Sequence, residues 1–205
     1  MITLDQLKAV SGRNNIICNN YLFPLNQTLA TYAIDTDLRM SHFFAQILLE
    51  SWRFKYTLEE SSGQEYEGRI DLGNVQAGDG VLFKGRGLIQ ITGRANYQAL
   101  TNDLGRANNV DFIAHPELLQ QPLYATLSAG WFWNKHRLNR FADTDDIKNV
   151  TLRINGGYNN LDMRIGYLNK AKKIFITPVI TSAPPMGNMP PEAPQQPFTS
   201  GDMKI

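Results

Sequence analysis

A mostly α-helical domain with one glycine-rich loop region is what this sequence predicts, and three features predict it. Apolar residues recur at intervals of three and four on both sides of a central stretch. Within that stretch, from Ser61 to Gly87, the helical period disappears and glycines stand at 63, 68, 73, 78, 80, 85 and 87. That pattern reads as a long ordered loop or a lobe with short hairpins. Strand-like alternation is confined to the segment that follows, Leu88-Ile89-Gln90-Ile91-Thr92.

Taken in order, Thr3 and Gln6 have capping-box spacing, Leu4, Leu7 and Val10 follow at helical intervals, and Gly12 ends the run. Residues 4 to 11 therefore form a first helix. Pro24 occupies the first turn of a second, running through Leu25, Leu29 and Tyr32. Leu38 to Glu50 is a third. The helical period returns over Ala95 to Leu104, Pro122 to His136, Thr144 to Ile154 and Leu161 to Ile176. From Pro178 to Pro197 the composition changes: seven of the ten prolines lie there, with few charges and no periodicity. Such a segment buries too little apolar surface to offset its ordering entropy, which predicts a domain over 1–176 and a proline-rich tail or linker over 177–205.

Composition narrows the function classes. With 42% hydrophobic and 19% charged residues the chain is an ordinary folded one. Its 20 Lys and Arg against 19 Asp and Glu give a net charge of +1, so no global field draws it to nucleic acid or an anionic membrane. Cys18 is the single cysteine, which rules out an internal disulfide or a thiolate cluster. His42, His115 and His136 share no metal-ligand spacing, and the glycine-rich stretch lacks a phosphate-loop pattern, so neither metal nor cofactor is expected. The first 25 residues lack a basic start followed by a long apolar run, and no window approaches the roughly 18 apolar residues of a membrane span. That predicts synthesis in the cytoplasm, with no stable membrane insertion.

In "HFFAQILLESWRF", residues 42–54, Phe43, Ile47, Glu50 and Phe54 fall along one helical face, with Gln46 one turn before Glu50. A carboxyl held against apolar side chains keeps its proton toward neutral pH, as a general acid must. The alternative is a glutamate at the rim of an amphipathic helix, reaching into water. Read as a strand, "LIQIT" sends Ile89 and Ile91 to one face and Leu88, Gln90 and Thr92 to the other. Gln90 and Thr92 are then placed to bond a sugar hydroxyl or a water, or simply to face solvent.

Together, "AQILLES" (45–51), "YEGRIDLGN" (66–74), "GDGVLFKGRGLIQITGRANY" (78–97), "GWFWNK" (130–135) and "INGG" (154–157) resemble the family 19 glycoside hydrolases, in particular the chitinase-like endolysins of bacteriophages. The resemblance implies a lysozyme-like, two-lobed α fold whose cleft binds a β-1,4-linked amino-sugar polymer, here the peptidoglycan glycan strand, and hydrolyses it with inversion and without a cofactor. It implies that Glu50 is the general acid, that Thr92 positions the attacking water, and that Gln90, Tyr97 and Asn155 lie in the cleft. Arg86 and Arg164 match structural or charge-positioning residues. The general base matches Glu59, with Glu67 and Glu60 as rivals. Nine residues of unbroken helix would turn Glu59 away from Glu50, so the helix must end near Trp52 to Tyr56.

Where the family has "HESGGF" this chain has "LESWRF", so Trp52 is either a sugar-stacking platform or a core plug. The resemblance also implies a monomer, released to the cell wall through a separate pore. A chitinase of the same fold is the near rival, since both polymers share the N-acetylglucosamine linkage. A non-catalytic wall-binding or virion module is the more distant one.

Overall fold

The computed structural model describes residues 1–176, and the proline-rich tail expected over 177–205 lies outside the described residues. Local signals set most helix ends. The Thr3 hydroxyl accepts from the Gln6 amide at 3.1 Å and the Gln6 side chain accepts from the Thr3 amide at 2.9 Å, which starts α1 (Leu4–Ser11) as expected. Gly12 ends it at φ 66°. The second helix does not begin at Pro24. α2 spans Asn15–Thr31, because Asn14 Oδ1 caps the Ile17 amide at 3.1 Å, and Pro24 sits buried inside it. The proline forgoes one ladder bond, and its apolar ring goes to the core. α3 (Asp37–Glu50) is capped by Thr36, whose hydroxyl accepts from the Arg39 amide.

The glycine-rich region contains two 3₁₀ turns, Gln64–Tyr66 and Ile70–Leu72, and the short α4 (Asp79–Leu82). The strand expected over 88–92 does not form. Arg86 and Ile91 exchange backbone hydrogen bonds of 3.1 and 2.8 Å across a tight turn, and Leu58 pairs with the other edge of Arg86. The alternation fails because Gly87 (φ 81°) and Gln90 (φ 57°) are left-handed and fold residues 87–90 into that turn. Leu88 and Ile91 are both buried as a result, in different parts of the core.

Beyond it lie α5 (Arg94–Leu100), a π-helical turn (Thr101–Gly105) and α6 (Arg106–Asn108). A 3₁₀ turn (Pro116–Gln120), α7 (Pro122–Lys135) and α8 (Asn139–Ala142) follow. The last two helices are α9 (Ile147–Asn155) and α10 (Leu161–Phe175). α9 starts later than its sequence pattern suggests because Asp146, not Thr144, caps it by accepting from the Asn149 amide.

Two hydrophobic cores account for the lobes. The larger gathers Leu7, Leu25, Phe43, Phe44 and Phe175 from α1, α2, α3 and α10. The smaller gathers Phe83, Ile91, Tyr97, Leu100 and Phe112 around α5 and the loops. α7 serves both, with Ala125, Ala129 and Trp133 on one side and Leu127 and Trp131 on the other, so it is apolar all round and buried between them. No helix among the described residues is long and apolar enough to cross a membrane.

α2 and α7 approach closely at Gly130, where a Cβ would lie 2.2 Å from the Tyr32 ring and 2.5 Å from the Thr28 methyl. Gly130→Ala should therefore cost about 1–3 kcal/mol of stability through overpacking. Denaturant unfolding checks this: the midpoint should fall with an unchanged slope, and a parent-like midpoint would mean that the helices part at no cost.

Candidate active site

α3 ends at Glu50 itself, and the chain then does something costly. Trp52, Arg53 and Phe54 are three consecutive left-handed residues, at φ 48°, 59° and 65°. Each such non-glycine residue costs about 1–2 kcal/mol, so the turn persists only because its surroundings impose it. Ser51 donates from its hydroxyl to the Ile47 carbonyl at 2.6 Å and accepts from the Phe54 amide at 2.9 Å. Arg13, from the α1–α2 junction, donates to the Arg53 carbonyl at 2.6 Å and the Trp52 carbonyl at 2.7 Å. Phe54 stacks on Tyr21 with ring centroids 4.6 Å apart. The helix thus breaks right after the acid candidate, as a base nine residues on requires, and Trp52 is left 63% exposed. Trp52 is therefore not a core plug, and the platform alternative is the one its exposure permits.

Glu50 is not surrounded as the sequence predicts. Its side chain is 20% exposed, and Oε1 accepts from Arg164 Nη2 at 2.5 Å. A guanidinium, rather than apolar crowding, is its immediate partner. The apolar crowding expected around Glu50 is therefore not its setting, and the guanidinium contact fixes the orientation of its carboxyl. Arg164, from the first turn of α10, is 1% exposed. It also donates to Gln46 Oε1, one turn back on α3, and to the Asn159 carbonyl at 3.3 Å. Gln46 in turn donates to Thr151 of α9 at 3.3 Å. Three helices are tied together behind one carboxyl.

The rival bases separate by their hydrogen bonds. Glu59 is half-buried: Oε1 accepts from the Ser61 hydroxyl at 2.8 Å and the Tyr66 hydroxyl at 2.7 Å, and Oε2 accepts from the Gly85 amide at 2.8 Å. Burial together with the Glu59 carboxyl pushes the Tyr66 phenol up to about 12, so it stays a donor. A carboxylate has about four acceptor sites, and three are filled here. Glu67 is exposed, and its two oxygens accept from the Gly78 and Gly80 amides at 2.6 and 2.8 Å, stapling the loop before α4. Glu60 is exposed.

The tight turn faces Glu59. A Cβ on Gly85 would meet Gln90 Oε1 at 2.8 Å and Glu59 Oε2 at 2.9 Å, which brings both side chains to one spot and requires glycine between them. Gln90 also donates to the Gly87 carbonyl at 2.8 Å, and the half-buried Thr92 donates its hydroxyl to the Gln90 carbonyl at 2.9 Å. Asn155 ends α9, and its Oδ1 is buried without a partner among the described residues, free to accept from a ligand.

Tyr97 is not a cleft residue. It is fully buried, its hydroxyl donates to the Lys84 carbonyl at 2.8 Å, and burial pushes it up to about 12. Arg86 is likewise buried, donating to the Tyr97 hydroxyl at 3.0 Å. Sequence reasoning missed the roles of Arg13, Ser61 and Tyr66: Tyr66 opens a block quoted for the resemblance without being singled out, while no local signal pointed to Arg13 or Ser61.

With this geometry described, comparison adds kinship. No protein-family model matches the chain. A protein of Haemophilus influenzae (strain ATCC 51907 / DSM 11121 / KW20 / Rd) described as a glycosyl hydrolase family 19 domain-containing protein is 38% identical over 99 residues. The match spans 48% of this chain and 46% of that protein, so the chain spans about half the length of the relative it matches. Chitinase C from Streptomyces griseus HUT6037 superimposes with a TM-score of 0.69 at 20% identity, over 86% of this chain and 77% of that one. The class IV family 19 chitinase of Zea mays gives 0.67 at 18% identity, over 86% and 93%. The chain is thus similar in sequence to a family 19 glycoside hydrolase domain and has the fold of the family's chitinases.

Removing the clamp on the strained turn should show in stability. Arg13→Ala is expected to lower unfolding free energy by about 1–3 kcal/mol, the scale of charge-assisted hydrogen bonds, and to speed proteolytic nicking near Arg53. An unchanged midpoint with unchanged nicking would mean that the turn holds without Arg13.

Proposed function

We propose that the chain hydrolyses β-1,4 glycosidic bonds of bacterial peptidoglycan, as the endolysins it resembles do, by an inverting acid/base reaction. The observations that carry this are a guanidinium-fixed carboxyl at Glu50, where α3 breaks, and a second fixed carboxylate, Glu59, that meets Gln90 at Gly85, on a chitinase fold. Glu50 Oε2, which has no hydrogen-bond partner among the described residues, delivers the proton to the leaving glycosidic oxygen. Arg164 stabilises the carboxylate left behind. Glu59 spends its fourth acceptor site on the attacking water, which the Thr92 hydroxyl helps to orient. Its other three bonds hold the base in place.

Glu67 suits this role less well, since it is exposed and bound to the Gly78 and Gly80 amides, whereas the half-buried Glu59 meets Gln90 at Gly85. Gln90, Asn155 and the exposed Trp52 supply sugar contacts. In this reading the chain is made in the host cytoplasm and reaches the wall through a separate pore. A chitinase is the second reading, favoured by the names of the structures that share the fold.

Lysis of outer-membrane-permeabilised Gram-negative cells, followed as loss of turbidity, tests the proposal. The parent chain should clear the suspension. Glu50→Gln and Glu59→Gln should each fall by a factor on the order of 10² or more, while Glu67→Gln keeps most of its activity. Equal clearing by the parent and Glu50→Gln would remove Glu50 from the chemistry, and an inactive Glu67→Gln beside an active Glu59→Gln would reverse the base. Degradation of colloidal chitin without lysis would favour the second reading.

A further inference from the structure

The guanidinium of Arg86 is only half used. Nη1 donates to the Leu82 carbonyl at 2.7 Å, the Lys84 carbonyl at 3.3 Å and the Tyr97 hydroxyl at 3.0 Å. Nε is closed to solvent without a partner, and Nη2 has none among the described residues. On that edge Nη2 is the donor left open to a ligand, since it is not closed off as Nε is. An unpaired buried donor in a native fold is costly and calls for an explanation. Arg86 is 8% exposed and anchored at its other end, so this edge is held in position.

Arg86 lines an open groove of about 700 Å³ together with Gln76, Gly78, Val81, Lys84 and Arg94. The charges around it are unequally employed. Arg94 is spent on Asp79, at 2.6 and 2.8 Å. Glu67 is spent on the Gly78 and Gly80 amides, and Glu59, beside the Gly85 that separates Lys84 from Arg86, on Gly85, Ser61 and Tyr66. Lys84 donates to the Ser61 carbonyl at 2.6 Å, a neutral partner. Lys84 and Arg86 are therefore two cations whose direct partners are all uncharged.

We propose that this groove is a carboxylate subsite, in which Nη2 of Arg86, with Lys84, takes a carboxylate of the stem peptide on an N-acetylmuramic acid unit. The inference rests on the peptidoglycan reading above and deepens it. In intact peptidoglycan the lactyl carboxyl is tied up as an amide with the stem peptide, whose own carboxylates carry the charge. Chitin carries no carboxylate at all. The groove thus selects between the two polymers, and it does so next to Gly85, where Glu59 is anchored.

Calorimetric titration of the full-length Glu50→Gln chain tests this with soluble fragments: a disaccharide–peptide, the same fragment with every carboxyl capped as methylamide, and the disaccharide bearing only a bare lactyl acid. Capping should weaken binding about tenfold, the equivalent of one charge-assisted contact. That penalty should shrink to about threefold or less with Lys84→Gln added, and with Arg86→Lys, which keeps the charge and loses the fork. Lys84 is half-buried, so its variant keeps the test readable should Arg86→Lys fail to fold. A bare lactyl acid that binds as tightly as the uncapped disaccharide–peptide would overturn the stem peptide as the occupant. Equal binding of acid and amide overturns the subsite while leaving Glu50-dependent lysis untouched, and binding of none of the fragments overturns it too.

Discussion

A guanidinium that is almost wholly buried must satisfy several donors at once, and Arg164 does so with groups from two parts of the chain. Gln46 and Glu50 lie one turn apart on α3, and the Asn159 carbonyl precedes α10. These partners accept together only if α10 lies along α3 in one register, so the contact that fixes the acid candidate also fixes the packing of two long helices. Removing either side would leave an uncompensated charge or an unpaired donor in the interior. The site and the larger core are thus one arrangement, with Thr151 of α9 joined through Gln46.

In the glycine-rich region, carboxylates organise glycines. Glu59 and Glu67 each take backbone amides of a region poor in regular structure, and two of the glycines they bind, Gly80 and Gly85, stand where a Cβ would collide with them. Anionic side chains accepting from successive amides replace the ladder that a strand would have supplied. That is how a stretch with almost no pairing of its own holds Gln90 and Thr92 at fixed positions against α7.

Much of this was legible in the residues and some was not. Thr3–Gln6, Thr36 and the apolar stripe of α3 are local signals, and local physics honoured them. Pro24 misled because a proline's preference for the first turn is overridden when a better cap lies upstream, at Asn14, and the ring can be buried. "LIQIT" misled because alternation says nothing about φ: Gln90 is left-handed, and the expected strand becomes a turn. Tyr97 matches a cleft position in the resemblance, yet its hydroxyl is consumed by Lys84 and Arg86. The partner of Glu50 lies 114 residues away, beyond the reach of any periodicity. The resemblance placed Arg164 near the charge, but only the fold shows that it touches the carboxyl.

The account stands or falls on Arg164 acting on Glu50 rather than merely filling the interior. Arg164→Lys keeps the charge but cannot serve Gln46, Asn159 and Glu50 together. The most direct measurement is the steady-state turnover of this variant on soluble peptidoglycan fragments, with circular dichroism to show that it is folded. A folded chain whose kcat drops by about 10² at a nearly unchanged KM is the predicted result, and a folded chain turning over at the parent rate would contradict it.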